Sequence, residues 1–354
     1  MTDLVTILKT AVGLGASDIH ICVGKPPMMR LNGEIMPVNS AMPPLTADQT
    51  KALIYSALYE EQRAKFEANW ELDCSFAITG LSRFRLNVLV ARNGVEAVMR
   101  VIPSIIPTPE QLGLSPTIVN LSTLHKGLVL VTGPTGSGKS TTLAAVLDLI
   151  NQKKRGHMLT IEDPIEFTYE AKSCVVRQRE IGQHTKSFAN ALRAALREDP
   201  NVILVGEMRD LETIQLTITA AETGHLSFAT LHTQDAPSTV DRIIDVFPPH
   251  QQTQVRVQLA SALQAVVSQI LLPRKDGKGR VAAREIMIMT PAISNLIREG
   301  KTHMIYSAIE TGARAGMISM DKALVNLVKE NLVAFDIAIA KAHDQETFRK
   351  LCEM

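Results

Sequence analysis

The feature that most constrains this chain is a glycine-rich loop placed between an apolar strand and a helix. The loop reads GPTGSGKST, from Gly133 to Thr141, and fits the pattern G-x-x-x-x-G-K-[ST]. The apolar run 127–132 before it predicts a buried strand, and the run 143–150 after it predicts a helix. Glycines let backbone N–H groups converge on phosphate oxygens, and a helix N-terminus attracts negative charge. This context favours a phosphate-binding loop over a glycine-rich turn that binds nothing.

The pattern also assigns roles within the loop. Lys139 is expected to reach the β- and γ-phosphates of a nucleotide, and the Ser140 hydroxyl is expected to ligate Mg²⁺. The predicted cofactors are therefore ATP and Mg²⁺. The predicted nucleotide-binding residues are Gly133, Pro134, Thr135, Gly136, Ser137, Gly138, Lys139, Ser140 and Thr141.

Charge and composition limit the possible partners and the compartment. The 354 residues carry a formal net charge of +1 and only 4% are aromatic, so no nucleic-acid partner is expected. The four cysteines are scattered without a C-x-x-C pair, which disfavours a zinc site or a disulfide framework and is typical of a reducing cytoplasm. The sequence shows no signal-peptide pattern and no apolar run near the ~18 residues of a membrane span. We therefore expect a cytoplasmic protein.

Two regions with different periodicity are separated by a proline-rich segment. The first predicts a small antiparallel sheet with two helices, including a hairpin that turns at Asn32-Gly33 and a helix from Thr46 to about Asn69. In the second, short apolar strands alternate with helices, which predicts parallel βαβ units. A helix from Gln251 to about Ile270 and a basic hairpin at 275–279 are predicted to follow. The predicted divisions are a first domain at 1–101, a linker at 102–117, an ATPase core at 118–290 and a helical segment at 291–354.

Acidic residues follow two of the predicted strands. Glu162, Asp163 and Glu166 surround Pro164 one strand after the glycine-rich loop, and Glu207 ends the apolar run 202–206. Phosphoryl transfer needs a Mg²⁺ ligand and a group that orients water, and the ends of strands in an open α/β sheet are where ligands bind. Solvated acidic loops are the alternative interpretation.

Two histidines bracket a later strand. His225 and His232 stand on either side of the run 226–230. Two imidazoles beside one strand suit contact with a γ-phosphate, yet a structural role fits the same pattern equally well.

Taken in order, these motifs resemble those of a known family. GPTGSGKST, IEDPIE, LVGEMRDLET and AAETGHLSFATLHT resemble the Walker A, aspartate box, Walker B and histidine box of secretion ATPases. The resemblance is closest to the type IV pilus retraction ATPases, the PilT family, and runs nearly end to end. It includes GASDIHICVGKPPMMRLNGEI near the start, LSRFR at 81–85 and RVAAREIM at 280–287.

The resemblance implies an α/β fold in which a small α+β PAS-like domain precedes a RecA-like P-loop ATPase domain. It also implies a ring of six chains, with nucleotide between the two domains and next to the neighbouring chain. By position, Glu166 would orient the attacking water, Glu207 would be the Walker B residue that holds Mg²⁺ partly through water, and His232 would contact the γ-phosphate. Arg85 and Arg100 match the family's arginine fingers, although without the resemblance they would be ordinary strand-edge arginines.

The implied function is an ATP-hydrolysing hexameric motor that drives pilus retraction and twitching motility. Its implied partners are the inner-membrane pilus platform protein, approached from the cytoplasm, and a paralogous retraction ATPase. The alternatives are a pilus extension or type II secretion ATPase, a RecA-like nucleic-acid translocase, and a scaffold that binds ATP without turnover. The sequence departs from the family at Ser294, where the family segment AIRNLIRE has its first arginine. That departure puts coupling to retraction, or contact with a partner, in doubt.

Overall fold

The computed structural model describes residues 3–31, 33–102 and 105–353, and these form two compact units. The first unit comprises the described residues up to 105 together with 166–168, and the second comprises the remainder. The predicted turn residue Asn32 lies outside the described residues, as do two residues of the predicted linker, Pro103 and Ser104.

An antiparallel sheet forms the centre of the first unit. Its strand order is β3-β2-β1-β6-β5-β4. Phe84, Leu86 and Met99 are fully buried in a core that the sheet shares with the helices. The elements of this unit are α1 (Leu4–Gly13), β1 (Asp18–Ile21), β2 (Met28–Leu31), β3 (Glu34–Pro37), α2 (Ala47–Tyr55), α3 (Glu60–Asn69), β4 (Glu71–Ile78), β5 (Ser82–Ala91) and β6 (Gly94–Ile102).

The prediction of a single helix from Thr46 to Asn69 is wrong, because the segment forms two helices, α2 and α3, separated by a short non-helical stretch. Arg63 donates from Nε and Nη2 to the carbonyl oxygen of Tyr55 at 3.1 and 2.6 Å, which satisfies the end of α2. At the start of α3, the side chain of Gln62 accepts from the backbone N–H of Tyr59 at 3.0 Å. These side-chain bonds satisfy backbone groups that a continuous helix would pair internally.

In the second unit the central sheet has the order β13-β12-β7-β11-β10-β8-β9. All neighbouring strands are parallel except β12 and β13, which form an antiparallel hairpin as predicted around 275–279. Its strands are β7 (Gly127–Thr132), β8 (His157–Glu162), β9 (Val175–Glu180), β10 (Val202–Val205), β11 (Leu226–Leu231), β12 (Leu263–Pro273) and β13 (Arg280–Ile288). Its helices are α4 (Pro116–Asn120), α5 (Lys139–Lys153), α6 (Phe188–Ala195), α7 (Leu211–Glu222), α8 (Ala236–Asp245), α9 (Pro249–Ala262), α10 (Pro291–Arg298), α11 (Ile305–Thr311), α12 (Met320–Lys329), α13 (Phe335–Ile339) and α14 (Gln345–Glu353).

The predicted helix from Gln251 to Ile270 is correct only as far as Ala262. Beyond it the chain becomes β12, which pairs in parallel with β7. Residues 265–267 are completely buried, and a strand covered on both faces has a continuous apolar sequence that looks like a buried helix. The periodicity therefore could not distinguish the two.

Among the elements that went unpredicted, the helix α8 has a clear sequence signal and the strand β9 does not. The helix α8 begins with Asp235 as N-cap, whose side chain accepts from the N–H of Ser238 at 2.7 Å, followed by Pro237 in the first turn. Such a pair is a standard helix start. The strand β9 is half-exposed and rich in charged residues, so its sequence resembles a loop.

The C-terminal segment is helical, as predicted from Pro291 onward. It is not purely a surface layer, because Leu324, Val325 and Phe348 are buried in a cluster with Leu272 of β12. Among the described residues, none of the helices has the length and apolarity needed to cross a membrane.

Candidate functional site

The glycine-rich loop follows β7, whose six residues are all buried, and leads into α5. Gly133, Gly136 and Gly138 have φ values of +136°, +78° and +86°, which favour glycine over any other residue. A Cβ at Gly133 would lie 2.2 Å from the carbonyl oxygen of Gln269. The loop therefore adopts a backbone that requires its glycines, with α5 beginning at Lys139.

The side chain of Lys139 folds back over the loop. Its Nζ donates to the carbonyl oxygens of Gly133 at 2.8 Å and Pro134 at 3.1 Å. Burial lowers the pKa of this ammonium group, and the negative charge of Glu207 acts in the opposite direction. A cation is thus held at the mouth of the loop, where the phosphates of a nucleotide would lie.

Glu207 stands two residues after β10, at the same edge of the sheet as the loop. Its Oε2 lies 2.7 Å from Nη2 of Arg209, and its Oε1 lies 3.0 Å from Nε2 of His232, which follows β11. Burial tends to raise the pKa of the Glu207 carboxyl, but the hydrogen bond from Arg209 and the charges of His232 and Arg209 outweigh it and lower that pKa. The structure therefore places an ionised carboxylate near Lys139 and links it to the predicted histidine.

The other histidine has a different environment. Nδ1 of His225 lies 3.0 Å from the carbonyl oxygen of Ala220, at the opposite end of β11. Because parallel strands present opposite ends to opposite edges of the sheet, His225 is remote from the glycine-rich loop. Of the two histidines, His232 alone lies beside Glu207.

The acidic stretch after β8 separates into residues with different surroundings. Glu162 is buried, and its Oε1 accepts from the hydroxyl of Thr160 at 2.7 Å. Asp163 is exposed. Glu166 groups with the first unit, where burial raises the pKa of its carboxyl and the charges of Arg85 and Arg100 oppose that shift.

Arg85 and Arg100 face each other directly across β5 and β6. Both are exposed, and Nε of Arg100 donates to Oδ1 of Asp18 at 2.9 Å. The two guanidinium groups therefore belong to neighbouring positions on the first unit, and the carboxylates of Asp18 and Glu166 interact with them. The sequence indicated the two arginines only through the family resemblance, and it gave no signal for Asp18.

The donor set around the loop fits a magnesium ion. Mg²⁺ usually keeps several waters and takes one or two protein oxygens together with phosphate oxygens. Ser140 in the first turn of α5 and the ionised Glu207 are oxygen donors of this kind. Within the described residues, no group of three or more histidine, cysteine, aspartate or glutamate side chains is arranged to hold a metal ion.

Comparison with known proteins places these features in a family. The model of the type II/IV secretion system protein family matches residues 2–331. The type IV pilus retraction ATPase PilT of Pseudomonas aeruginosa is 52% identical over 346 residues, which cover 98% of this chain and 100% of that protein. The chain belongs to the PilT family of type II/IV secretion ATPases.

Other members support this assignment. A twitching motility protein of Neisseria gonorrhoeae is 49% identical over 321 residues, covering 91% of this chain and 85% of that protein. A crystal structure of the pilus retraction motor PilT with bound ADP has a TM-score of 0.92 and 47% identity, and the match covers 99% of this chain and 100% of that one. The predicted fold class, α/β with a small antiparallel domain before the ATPase domain, is thereby confirmed.

The PilT-family segment that contains Ser294 lies on α10, away from the glycine-rich loop. Ser294 is buried, and its hydroxyl donates to the carbonyl oxygen of Ala260 on α9 at 3.1 Å. The serine therefore contributes to helix packing. The effect of this departure on pilus function stays a hypothesis.

Proposed function

We propose that this chain hydrolyses ATP and uses the energy to retract type IV pili. The observation that carries the proposal is the position of Glu207, held by His232 and Arg209 at the sheet edge that also carries Lys139. A P-loop cation and an ionised carboxylate at the same edge of one parallel sheet, on strands separated only by β11, are the parts that phosphoryl transfer requires. The 52% identity to a retraction ATPase over nearly the whole chain supports retraction as the work performed.

In this mechanism Lys139 leaves its two backbone carbonyls and pairs with the β- and γ-phosphates. Backbone N–H groups of the loop and the start of α5 bind the remaining phosphate oxygens. Ser140 and Glu207 would hold Mg²⁺, the latter partly through water, and a bound ion would supply positive charge against the phosphates. His232 contacts the γ-phosphate, so its hydrogen bond to Glu207 depends on which nucleotide is bound.

Glu166 orients the attacking water, and Arg85 and Arg100 act as arginine fingers. A finger of this kind contributes roughly 10³–10⁵ in rate by neutralising charge that spreads over the transferring phosphoryl group. Because these three residues group with the first unit, we propose that turnover depends on how that unit moves. Such a motion would convert hydrolysis into mechanical work.

The proposed assembly is a ring of six chains on the cytoplasmic side of the inner membrane. Its proposed partners are the pilus platform protein and a paralogous retraction ATPase. We further propose that residues 1–101 form the PAS-like domain, 102–117 the linker, 118–290 the RecA-like core and 291–354 the C-terminal helical segment.

Hydrolysis is tested by phosphate release from the purified chain. Lys139→Ala should abolish turnover and weaken ATP binding. The control is Lys153→Ala, which removes an exposed lysine at the far end of α5 and should change neither turnover nor ATP binding. Glu166→Gln should bind ATP and stall. No phosphate release by the wild type, with ATP bound, would instead support a scaffold that binds nucleotide without turnover.

Retraction is tested in cells that lack the chain. Abundant long pili that never shorten would support the proposal, whereas cells without pili would indicate an extension ATPase. Unchanged pili would indicate an accessory paralogue. Salt-dependent DNA binding by the purified chain would favour the nucleic-acid translocase instead.

A further inference from the structure

Gln269 on β12 has a side chain that reaches two parts of the nucleotide loop. Its Nε2 donates to the carbonyl oxygen of Ser137 at 2.6 Å, and its Oε1 accepts from the hydroxyl of Thr142 at 2.8 Å. The side chain is 1% exposed, and both of its partners are buried as well. One amide therefore joins the loop to the first turns of α5 inside the protein.

These partners define the orientation of the amide. A backbone carbonyl can only accept a hydrogen bond, so the group that faces Ser137 must be the NH₂. The Thr142 hydroxyl then donates to the remaining oxygen. Both polar ends of the side chain are paired, which a buried amide requires.

The bond to Ser137 also determines which way the next N–H points. A trans peptide places C=O and N–H on opposite sides of its plane. When the Ser137 oxygen points to β12, the N–H of Gly138 therefore points away from β12. Gly138 has a positive φ and could reorient easily without that bond, because glycine tolerates both halves of the φ range.

The backbone of β12 supports the loop at its other end. The carbonyl oxygen of Gln269 occupies the position that a Cβ on Gly133 would need. One residue earlier, the hydroxyl of Thr132 donates to Oγ of Ser268 at 2.8 Å, and these two residues are directly paired between β7 and β12. Ser268 therefore contacts the residue before the loop, the backbone of Gln269 contacts Gly133 at its start, and the side chain of Gln269 contacts Ser137 near its end.

We propose that Gln269 is a positioning residue for nucleotide binding, holding the Ser137–Gly138 peptide in the orientation that receives phosphate. It would not touch the nucleotide itself. The inference rests on the proposed function, since it assigns a purpose to the loop as an ATP and ADP site. It explains why a fully buried glutamine stands in a strand whose neighbours 265–267 are apolar.

The test compares Gln269→Met, which keeps the length of the side chain and removes both hydrogen bonds, with Gln264→Met on the same strand. The Gln264 side chain lies beside Gly127, at the opposite end of β7 from the loop. The measurements are the thermal midpoint of the full chain with and without ADP, and the Kd of a fluorescent ATP analogue. We expect Gln269→Met to bind about tenfold more weakly or worse and to lose most of the ADP-induced rise in midpoint. Its midpoint without ADP should stay within a few degrees of that of Gln264→Met.

An equal fall in both midpoints, with the ADP-induced rise intact, would overturn the inference and leave Gln269 a purely structural residue. A wild type whose midpoint does not respond to ADP would instead contradict the proposed nucleotide site. If Gln269→Met does not fold, Thr142→Val decides the question, because it removes only the hydroxyl that orients the amide. We expect that variant to bind several-fold more weakly with KM affected more than kcat, and unchanged binding would overturn the inference.

Discussion

Asp18 and Arg100 are paired across the sheet of the first unit, with Nε of the arginine 2.9 Å from Oδ1 of the aspartate. Asp18 is buried, and although burial tends to raise the pKa of its carboxyl, the hydrogen bonds from Arg100 and Ser17 lower it. The Arg100 side chain remains 68% exposed. Asp18 therefore holds the inner part of the guanidinium group while most of the side chain stays available for a phosphate.

From this pairing we predict a graded effect on turnover. Arg100→Ala should lower kcat by about 10³ or more, because the charge that neutralises the transferring phosphoryl is lost. Asp18→Asn should lower kcat by a smaller factor, since the finger is retained but is no longer held by a charged partner. Steady-state phosphate release, with ADP affinity measured in parallel, checks both values.

Arg92 provides a matched control. It is an exposed arginine in the turn between β5 and β6, at the other end of the same two strands. If Arg92→Ala reduced kcat as strongly as Arg100→Ala, general charge would explain the effect and the finger assignment would be wrong. Mixing Arg100→Ala with Glu166→Gln chains then shows which copy supplies the finger, because recovered turnover requires a finger that acts on the neighbouring chain.

The structure also shows which parts of the site a sequence can reveal. Lys139 and Glu207 were predicted because each follows a strand in a local motif, and parallel strands bring such positions to one edge. The role of His232 was implied only by the family resemblance. Gln269 and Asp18 were missed, since their partners lie 132 and 82 residues away in the sequence. Each residue meets its partners because of how the strands pair, which a sequence does not show directly. In addition, most of β12 lies in the segment that was predicted to be a helix.

Glu207 gives a second prediction, which concerns magnesium. Glu207→Gln keeps the shape of the side chain and removes the charge that attracts the ion. We expect the Mg²⁺ dependence of ATP binding to weaken and turnover to fall by roughly 10–100-fold, the range for a group that orients a metal site partly through water. Titration of Mg²⁺ against the binding of a fluorescent ATP analogue measures this. The exposed Glu222→Gln, at the end of α7, should keep the full dependence on Mg²⁺.

A third prediction concerns pH and Glu285 of β13. Its carboxyl is fully buried, and Oε1 accepts from the N–H of Ala236 at 2.9 Å. Burial, together with the charges of Asp235 and Asp321, raises the pKa of this group from 4.5 to about 7. Between these values the folded chain holds a proton that the unfolded chain has released. The free energy of unfolding should therefore fall as pH rises through this window, by roughly 3 kcal/mol in total.

Glu285→Gln should remove that decline and make the chain more stable than wild type at pH 8. Denaturant unfolding at pH 5.5 and pH 8 measures both effects. The exposed Glu330→Gln on the nearby C-terminal segment should show the same decline as wild type. An identical slope in Glu285→Gln and wild type would show that this carboxyl does not control the pH dependence.

The last prediction concerns Ser294, whose hydroxyl is bonded to Ala260. Beside it lies an open groove of about 640 Å³. Because an arginine at this position could extend into the groove, Ser294→Arg should fold with a modest loss of stability, about 1–2 kcal/mol for the lost hydrogen bond. ATP turnover should stay within about twofold, since α10 carries none of the nucleotide-binding residues. The groove is lined by Met289, Thr290, Pro291, Ser294, Asn295 and Arg298.

If the family arginine serves coupling to the pilus, Ser294→Arg should increase twitching in cells that depend on this chain. Ala292→Arg is the control, because it adds the same charge at an exposed position on α10 that does not line the groove. Twitching-zone diameter and pilus number, measured with matched expression of both variants, separate the two positions. An equal change in both variants would show that added charge on α10 is responsible. No change in Ser294→Arg, with ATP turnover intact, would show that the serine does not limit coupling.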